Sequence, residues 1–414
     1  MPKSLLIIIL FISNIGFAQT FNNYNFNTQN SDQLVNILEY ETGYLLTGYI
    51  SDSAYTAADD FFGSPVLLKL SKSGNPLDTI YPTTFGYTEL AQTTIYKDGY
   101  FYIFGTTNPQ NDSIQLVVTK YDTSFNYIHR KVYSKLKGFY YLGIHKTSFC
   151  TDSTMYFFGY HYDYQLNITH SYILKYNFNT MEIDKFGYIP KDIVIYDLLV
   201  NNEEDKYTLT CNSISFQSQV LTYDSSFVLL TNDTLFMPGI TNATLQSVIN
   251  INEYRDSLYL CLGAGDLVYP INNPTHFIDA IVLQTLDSNF QIKDLNFWFH
   301  DSLTGISLSN ENAMIKNDNI DYFLGATVYL NIFEPDKGLL IVKIDSNLNI
   351  IWKKHIECTA ATMRLMNMLP TYDGGVLVLY WEQASLTGAQ LMNSKLIKIG
   401  PNGEVTTIYE FKSP

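Results

Sequence analysis

Short apolar or alternating segments rich in Val, Ile, Tyr and Phe run the length of this chain, separated by clusters of Asp, Asn, Gly and Ser, and strong helical periodicity is absent throughout. The pattern predicts an all-β protein. Two landmarks recur in it, each seven times. The first is an apolar segment of about six residues, usually closing on Gly, that follows an acidic turn. It reads Glu41 to Gly48, Asp98 to Gly105, Asp152 to Gly159, Glu204 to Cys211, Asp256 to Gly263, Asp318 to Gly325 and Asp373 to Tyr380. The second is an apolar strand with Lys or Thr two residues before a turn former. These pairs are Lys69 and Ser71, Lys120 and Asp122, Lys175 and Asn177, Thr222 and Asp224, Thr285 and Asp287, Lys343 and Asp345, and Lys398 and Gly400.

The turns repeat about every 55 residues, a period that excludes heptads and short helical repeats and suits four strands with long loops. In the sixth repeat the strands read directly as Ser307 to Ile315, Tyr322 to Val328, Leu339 to Ile344 and Asn349 to Ile356. The prediction is a seven-bladed β-propeller of four-stranded antiparallel blades spanning residues 33–414. With strands lettered a to d in each blade, the a–b and c–d connections share one face and are tight and repetitive. The opposite face carries long, dissimilar connections: Ser51 to Ser64, Thr106 to Ser113, His161 to His170, Ala264 to His276, Asn331 to Gly338 and Trp381 to Asn393. Thr20 to Asn27, in the N-terminal segment 19–32, is spaced for a surplus strand at the edge of blade seven.

The runs Asp373-Gly374-Gly375-Val376-Leu377-Val378-Leu379 and Leu340 to Asn347, with Trp352 just beyond, resemble the degenerate propeller repeats of secreted Bacteroidetes proteins. The resemblance spans residues 30 to 412 and implies an architecture and little about activity. Such proteins often end in a sorting domain for type IX secretion, which is not evident after the seventh repeat. The family's outer-strand Trp is plain only at Trp352.

Lys3, the apolar run from Leu5 to Ile12, and Gly16-Phe17-Ala18 before Gln19 read as a secretory signal peptide over residues 1–18. That run is too short to cross a bilayer, and no later one is long enough. The expected product is secreted or at the outer cell surface, with the periplasm as the remaining compartment. No cysteine follows the cleavage site to carry a lipid. The net charge of −15, without a Lys/Arg stripe, excludes a phosphate-binding surface and so a nucleic-acid partner. Cys150, Cys211, Cys261 and Cys358 are too scattered for a disulfide scaffold. Cys211 and Cys261, in equivalent strands of neighbouring repeats, leave one bridge open.

No fingerprint of a dinucleotide, P-loop, serine-hydrolase or zinc-protease site is present. The turns at Asp122, Asp287 and Asp345 begin like calcium loops but lack the Gly and Glu such a loop needs, so their acids are read as turn formers. His161, Asp163 and His170 form the one local histidine cluster. They are read as a surface loop whose spacing is too wide for zinc, and neither metal nor cofactor is expected.

What remains is the variable face, where long loops pair an aromatic with a polar neighbour. The candidates are Asp59, Asp60, Phe61 and Phe62; His161 and Tyr164; Asp266 and Tyr269; Phe333 and Glu334; and Trp381 and Glu382. Aromatic anchors with polar partners suit a ligand-binding patch. The expected function is a non-catalytic monomeric module that binds a protein or glycan through this face. The alternative is an extracellular glycan hydrolase or lyase whose carboxylates, contributed by different blades, converge at the central mouth.

Overall fold

The structure is a computed structural model that describes residues 31–51, 63–82, 88–108, 115–133, 146–151, 153–163, 168–189, 193–201, 206–213, 218–235, 244–254, 258–268, 277–298, 305–307, 313–317, 321–329, 338–357, 362–383 and 392–411. These residues form seven antiparallel sheets in a ring, a seven-bladed β-propeller. Blade one is Ser31–Ile80, followed by Thr88–Tyr133, Lys146–Tyr188, Ile193–Thr234, Thr244–Trp298, Gly305–Glu357 and Thr362–Phe411. Strand a is innermost. The inner strand of blade one (Ser31–Tyr40) packs against the first three strands of blade seven and closes the circle. Across that seam Leu34 N donates to Ser394 Oγ at 2.8 Å. The four described strands of blade seven come from one repeat, so among the described residues packing closes the ring.

Among the described residues the core forms seven apolar clusters, each shared by two adjacent blades. In the second strand of blade three (Thr154–Asp163), Met155 and Phe157 pack toward blade two while Tyr156 and Phe158 pack toward blade four. Both faces are buried. This is why the strands read as nearly continuous apolar runs, and why so many are aromatic. Phe104 and Phe157, from neighbouring blades, stand 4.4 Å apart between ring centroids.

In blades one and two a kink in the inner strand accounts for the glycine that ends the first landmark. Pairing skips one residue between Leu34 and Asn36 in blade one and between Ala91 and Thr93 in blade two. Such a bulge brings the two backbones together. A Cβ on Gly48 would lie 2.0 Å from the Gln33 carbonyl oxygen, and one on Gly105 2.1 Å from that of Leu90. The same inner-strand bulge recurs before Asp197, Asn250 and Asn367. Blades four and seven carry Cys211 and Tyr380 at the glycine position.

Three sequence expectations are corrected. The inner strand of blade six is two short pieces, Gly305–Ser307 and Met314–Lys316, not one continuous strand. Cys211 and Cys261 are buried free thiols, not a bridge. Each faces the preceding blade, Cys211 in the cluster shared by blades three and four and Cys261 in that of blades four and five. Packed sheets stand about 10 Å apart, beyond the roughly 7 Å between Cα atoms that a disulfide spans. Third, strands continue into several of the loops read from sequence. His161 lies in Thr154–Asp163, Asp266 in Tyr259–Val268, and Trp381 and Glu382 in Val376–Gln383. The surplus segment Thr20 to Asn27 lies outside the described residues.

Candidate binding face

On the tight-turn face, hydrogen-bonding groups are consumed internally. Oδ1 of Asp122 accepts from the backbone N–H of Ser124 and Asn126 at 2.9 and 2.8 Å. Asp224, Asp287 and Asp345 repeat the arrangement with the residues two and four positions on. These carboxylates serve their own turns. The Asn126 side chain and N–H hold the Asp122 carboxyl below the usual carboxylate range. Three positions after the turn acid the chain enters the left-handed region at Phe125, Phe227, Phe290 and Leu348. A bulky side chain there is strained, and packing offsets the strain. Phe125 stacks on Phe101 at 5.0 Å and Phe290 on Tyr259 at 5.1 Å.

In four blades the carbonyl one position after the turn former, Asp122, Asp224, Asp345 or Gly400, is claimed by the preceding blade. Lys69 Nζ donates to Thr123 O, Lys185 Nζ to Ser225 O, Tyr254 Oη to Ser346 O and Trp352 Nε1 to Pro401 O, at 3.3, 2.6, 2.7 and 2.8 Å. The lysines of the second landmark are likewise engaged. Lys398 bonds Asp373, the acid of the first landmark in the same blade, at 2.5 Å, and Lys343 pairs with Asp321 at 3.2 Å. Burial pushes the Asp373 carboxyl up, but Lys398 and Thr371 outweigh it and leave the group below its ordinary range. Lys120 sits 3.9 Å above the Tyr100 ring.

The opposite face is framed by strand ends. Trp381 is half-buried there, in register with exposed Arg364 on one side and Ser394 on the other. Glu382 is buried and pairs with Lys395 at 2.7 Å, which makes it part of the joint with blade six and not an open hydrogen-bonding group. His161 is the register partner of His170, and Asp266 that of Asp279. Asp59, Asp60, Phe61, Phe62, Tyr164, Tyr269, Phe333 and Glu334 lie outside the described residues.

Sequence reading missed a buried polar belt on the inner strands. Asp197, fully buried in blade four, accepts from Leu198 N at 2.6 Å, Ile251 N at 2.8 Å and Asn250 Nδ2 at 3.2 Å. Asn250 Oδ1 in turn accepts from Met314 N of blade six at 3.1 Å. Three blades are thereby linked through side chains at equivalent bulges. The available signal was a lone acid inside Ile195-Tyr196-Asp197-Leu198-Leu199. Among the described residues no group of three or more His, Cys, Asp or Glu side chains is gathered around a metal position, and no helix is long and apolar enough to cross a membrane.

Fold and faces together define a propeller scaffold with one face committed to its own assembly. No protein-family model matches the sequence, and no curated protein matches it. Solved structures do share the fold. A point mutant of the Synechocystis apocarotenoid oxygenase aligns over 94% of this chain and 95% of its own, with TM-score 0.50 and 10% identity. The acylaminoacyl peptidase of Pyrococcus horikoshii aligns over 92% of this chain and 52% of its own, with TM-score 0.45 and 8% identity. A NanB sialidase mutant from Streptococcus pneumoniae aligns over 97% and 72%, with TM-score 0.43 and 12% identity. The chain spans about half the length of the peptidase. At such identities the likeness is one of fold alone, and propellers host many unrelated activities.

Proposed function

We propose that this chain is an exported, non-catalytic propeller, of the secreted Bacteroidetes kind its repeats resemble, that binds a protein or glycan through the face carrying the b–c and d–a connections. One observation carries the reading: the tight-turn face spends its carboxylates, carbonyls and lysines on the ring itself, while the opposite face presents Trp381 and Arg364 at the rim of connections that differ in every blade. A rigid scaffold with variable connections is the usual arrangement of a recognition surface. Export rests on Lys3, the apolar run and the small residues at Gly16 and Ala18.

The test is a ligand screen by glycan array and by pull-down from culture medium, followed by paired variants. Trp381→Ala with Phe62→Ala weakens binding and leaves the melting temperature nearly unchanged. Asp122→Ala with Asp345→Ala lowers the melting temperature and leaves binding intact. The reverse pattern puts the site on the other face and sinks the proposal.

A further inference from the structure

Blade seven ends on the variable face in a row of three residues. Arg364, on the inner strand (Thr362–Pro370) and so at the border of the central opening, is the register partner of Trp381. Trp381 in turn pairs with Ser394 on the third strand (Met392–Ile399). Directly opposed residues share a face and hold their Cβ atoms about 4.5–5.5 Å apart. Two residues further in, the same face carries Leu379 and Leu396, in the core shared with blade one. The row is therefore the last layer of that core, where the packing turns from Leu to Arg and Trp. Ser394 is buried and accepts the N–H of Leu34, which fixes the row to blade one.

Neither Arg364 nor Trp381 is engaged by the fold. Arg364 is exposed, and among the described residues it has no ion-pair or hydrogen-bond partner. Lys395 and Lys398 of the same blade are paired, with Glu382 and Asp373. Trp381 is half-buried and makes no ring contact or hydrogen bond among the described residues, unlike Trp352. The place of Arg364 is taken by uncharged residues in other blades, by Gln33, Leu90, Val194 and Ser247 in blades one, two, four and five. In blade one the corresponding pair satisfies itself, Tyr49 Oη donating to Gln33 Oε1 at 2.6 Å.

We propose that Arg364 and Trp381 form a subsite for a uronic acid residue of an acidic polysaccharide, the guanidinium holding the carboxylate and the indole covering the apolar side of the sugar ring. The proposal rests on the reading of this face as the recognition surface and names its ligand. A guanidinium offers a carboxylate two parallel hydrogen bonds, and an indole offers a large rigid surface with few rotamers to freeze. In a uronic acid the carboxylate is fixed to the ring, so one rigid residue meets both groups across a single strand pair. A peptide carboxylate reaches Arg364 on a flexible stem and leaves the indole without a fixed partner. The net charge of −15 is no bar. Exposed charges are screened beyond about 8–10 Å at physiological salt, so a carboxylate in contact with Arg364 feels the guanidinium above the distant acids.

The experiment is calorimetric titration of the full chain with oligosaccharides of polygalacturonate, alginate and hyaluronan, each beside its methyl ester, and with dextran sulfate as a polyanion without carboxylates. The expected result is binding of at least one of the three uronates, lost on esterification and absent with dextran sulfate. Arg364→Ala weakens it by more than about tenfold, the range of a hydrogen bond to a charged group. Arg364→Lys, which keeps the charge and loses the fork, recovers only part, and Trp381→Ala weakens binding as well. Lys353→Ala, at an exposed cation on the outer strand of blade six, changes nothing. Melting temperatures of all these variants match the parent. Absence of binding to all three uronates, equal binding of the ester, or full affinity in Arg364→Ala would each overturn the proposal. A lower melting temperature in Arg364→Ala would do the same by assigning the side chain to the seam with blade one. A neutral glycan or a protein held through Trp381 and Phe62 overturns the proposal and leaves the broader reading of the face standing. A ligand lost in Asp122→Ala with Asp345→Ala, and kept in Trp381→Ala with Phe62→Ala, removes both.

Discussion

The indole nitrogen of Trp352, on the outer strand of blade six (Ile350–Glu357), donates to the carbonyl of Pro401 in the turn of blade seven at 2.8 Å. The ring also covers Gly403, where an added Cβ would meet Trp352 Cγ at 3.1 Å and where φ is +86°. Lys185 occupies the same place in blade three, pairing with Lys175 as Trp352 pairs with Lys343, and donates to the equivalent carbonyl of blade four. There the turn residue is Phe227 and the strand makes room with Gly187, whose added Cβ would lie 3.0 Å from the Phe227 ring. Bulk sits on one side of the joint or the other. The outer-strand Trp is thus a clasp between blades, not a ligand-binding aromatic.

Trp352→Phe keeps the ring and removes the donor, so it should destabilise by about 1 kcal/mol, the net worth of one hydrogen bond. Gly403→Ala should cost more, because a left-handed residue with a Cβ costs roughly 1–2 kcal/mol before the contact with Trp352 is counted. Urea midpoints measure both. Equal stability of Trp352→Phe and the parent would deny the clasp.

The Asp197–Asn250 pair should be strongly coupled. Replacing Asp197 by Ala leaves two buried backbone N–H groups and the Asn250 amide without their acceptor, and each such orphan costs about 1–3 kcal/mol. A double-mutant cycle of Asp197→Ala and Asn250→Ala should give an interaction energy within the range of about 0.5–3 kcal/mol seen for contacting residues. Additive effects would show that the belt is not a network.

Acid should loosen the turns in a defined direction. Asp122 is held below its ordinary range by the Asn126 side chain, then by backbone N–H groups, and Asp287 by the Gln291 N–H, then by Lys293. A lowered native pKa contributes stability above the unfolded carboxylate value, and that contribution is lost as pH falls through about 4 and below. Asp122→Ala with Asp287→Ala should therefore melt lower than the parent at pH 7, with the gap narrowing toward pH 3. A gap that widens on acidification would refute the turn chemistry.

The two described thiols should be inert in the native state. Burial pushes Cys211 up to about 12 and raises Cys261 further, with Asp197 adding to the second shift. Iodoacetamide at pH 8, followed by peptide mapping, should leave both unmodified until denaturant is added, since only the thiolate reacts. Native labelling of Cys261, or a peptide linking Cys211 to Cys261, would contradict the packing.

The number of blades, their strand order and the identity of the tight turns were legible in the sequence because the causes are local. An Asp whose carboxylate bonds N–H groups two and four residues on leaves its mark within five positions, and a strand buried on both faces is apolar throughout. The strand ends were not legible. His161, Asp266, Trp381 and Glu382 look like loop residues because they are polar or aromatic, yet a hairpin continues wherever the partner strand still offers backbone hydrogen bonds, whatever the side chains. Tertiary structure alone decided which blade each residue meets. Trp352 and Pro401, and Asp197 and Asn250, are about one repeat apart in the chain and touch only because the ring sets consecutive blades side by side. The same geometry turns Cys211 and Cys261, equivalent in sequence, toward different interfaces, since equivalent positions in a ring point the same way and never at each other.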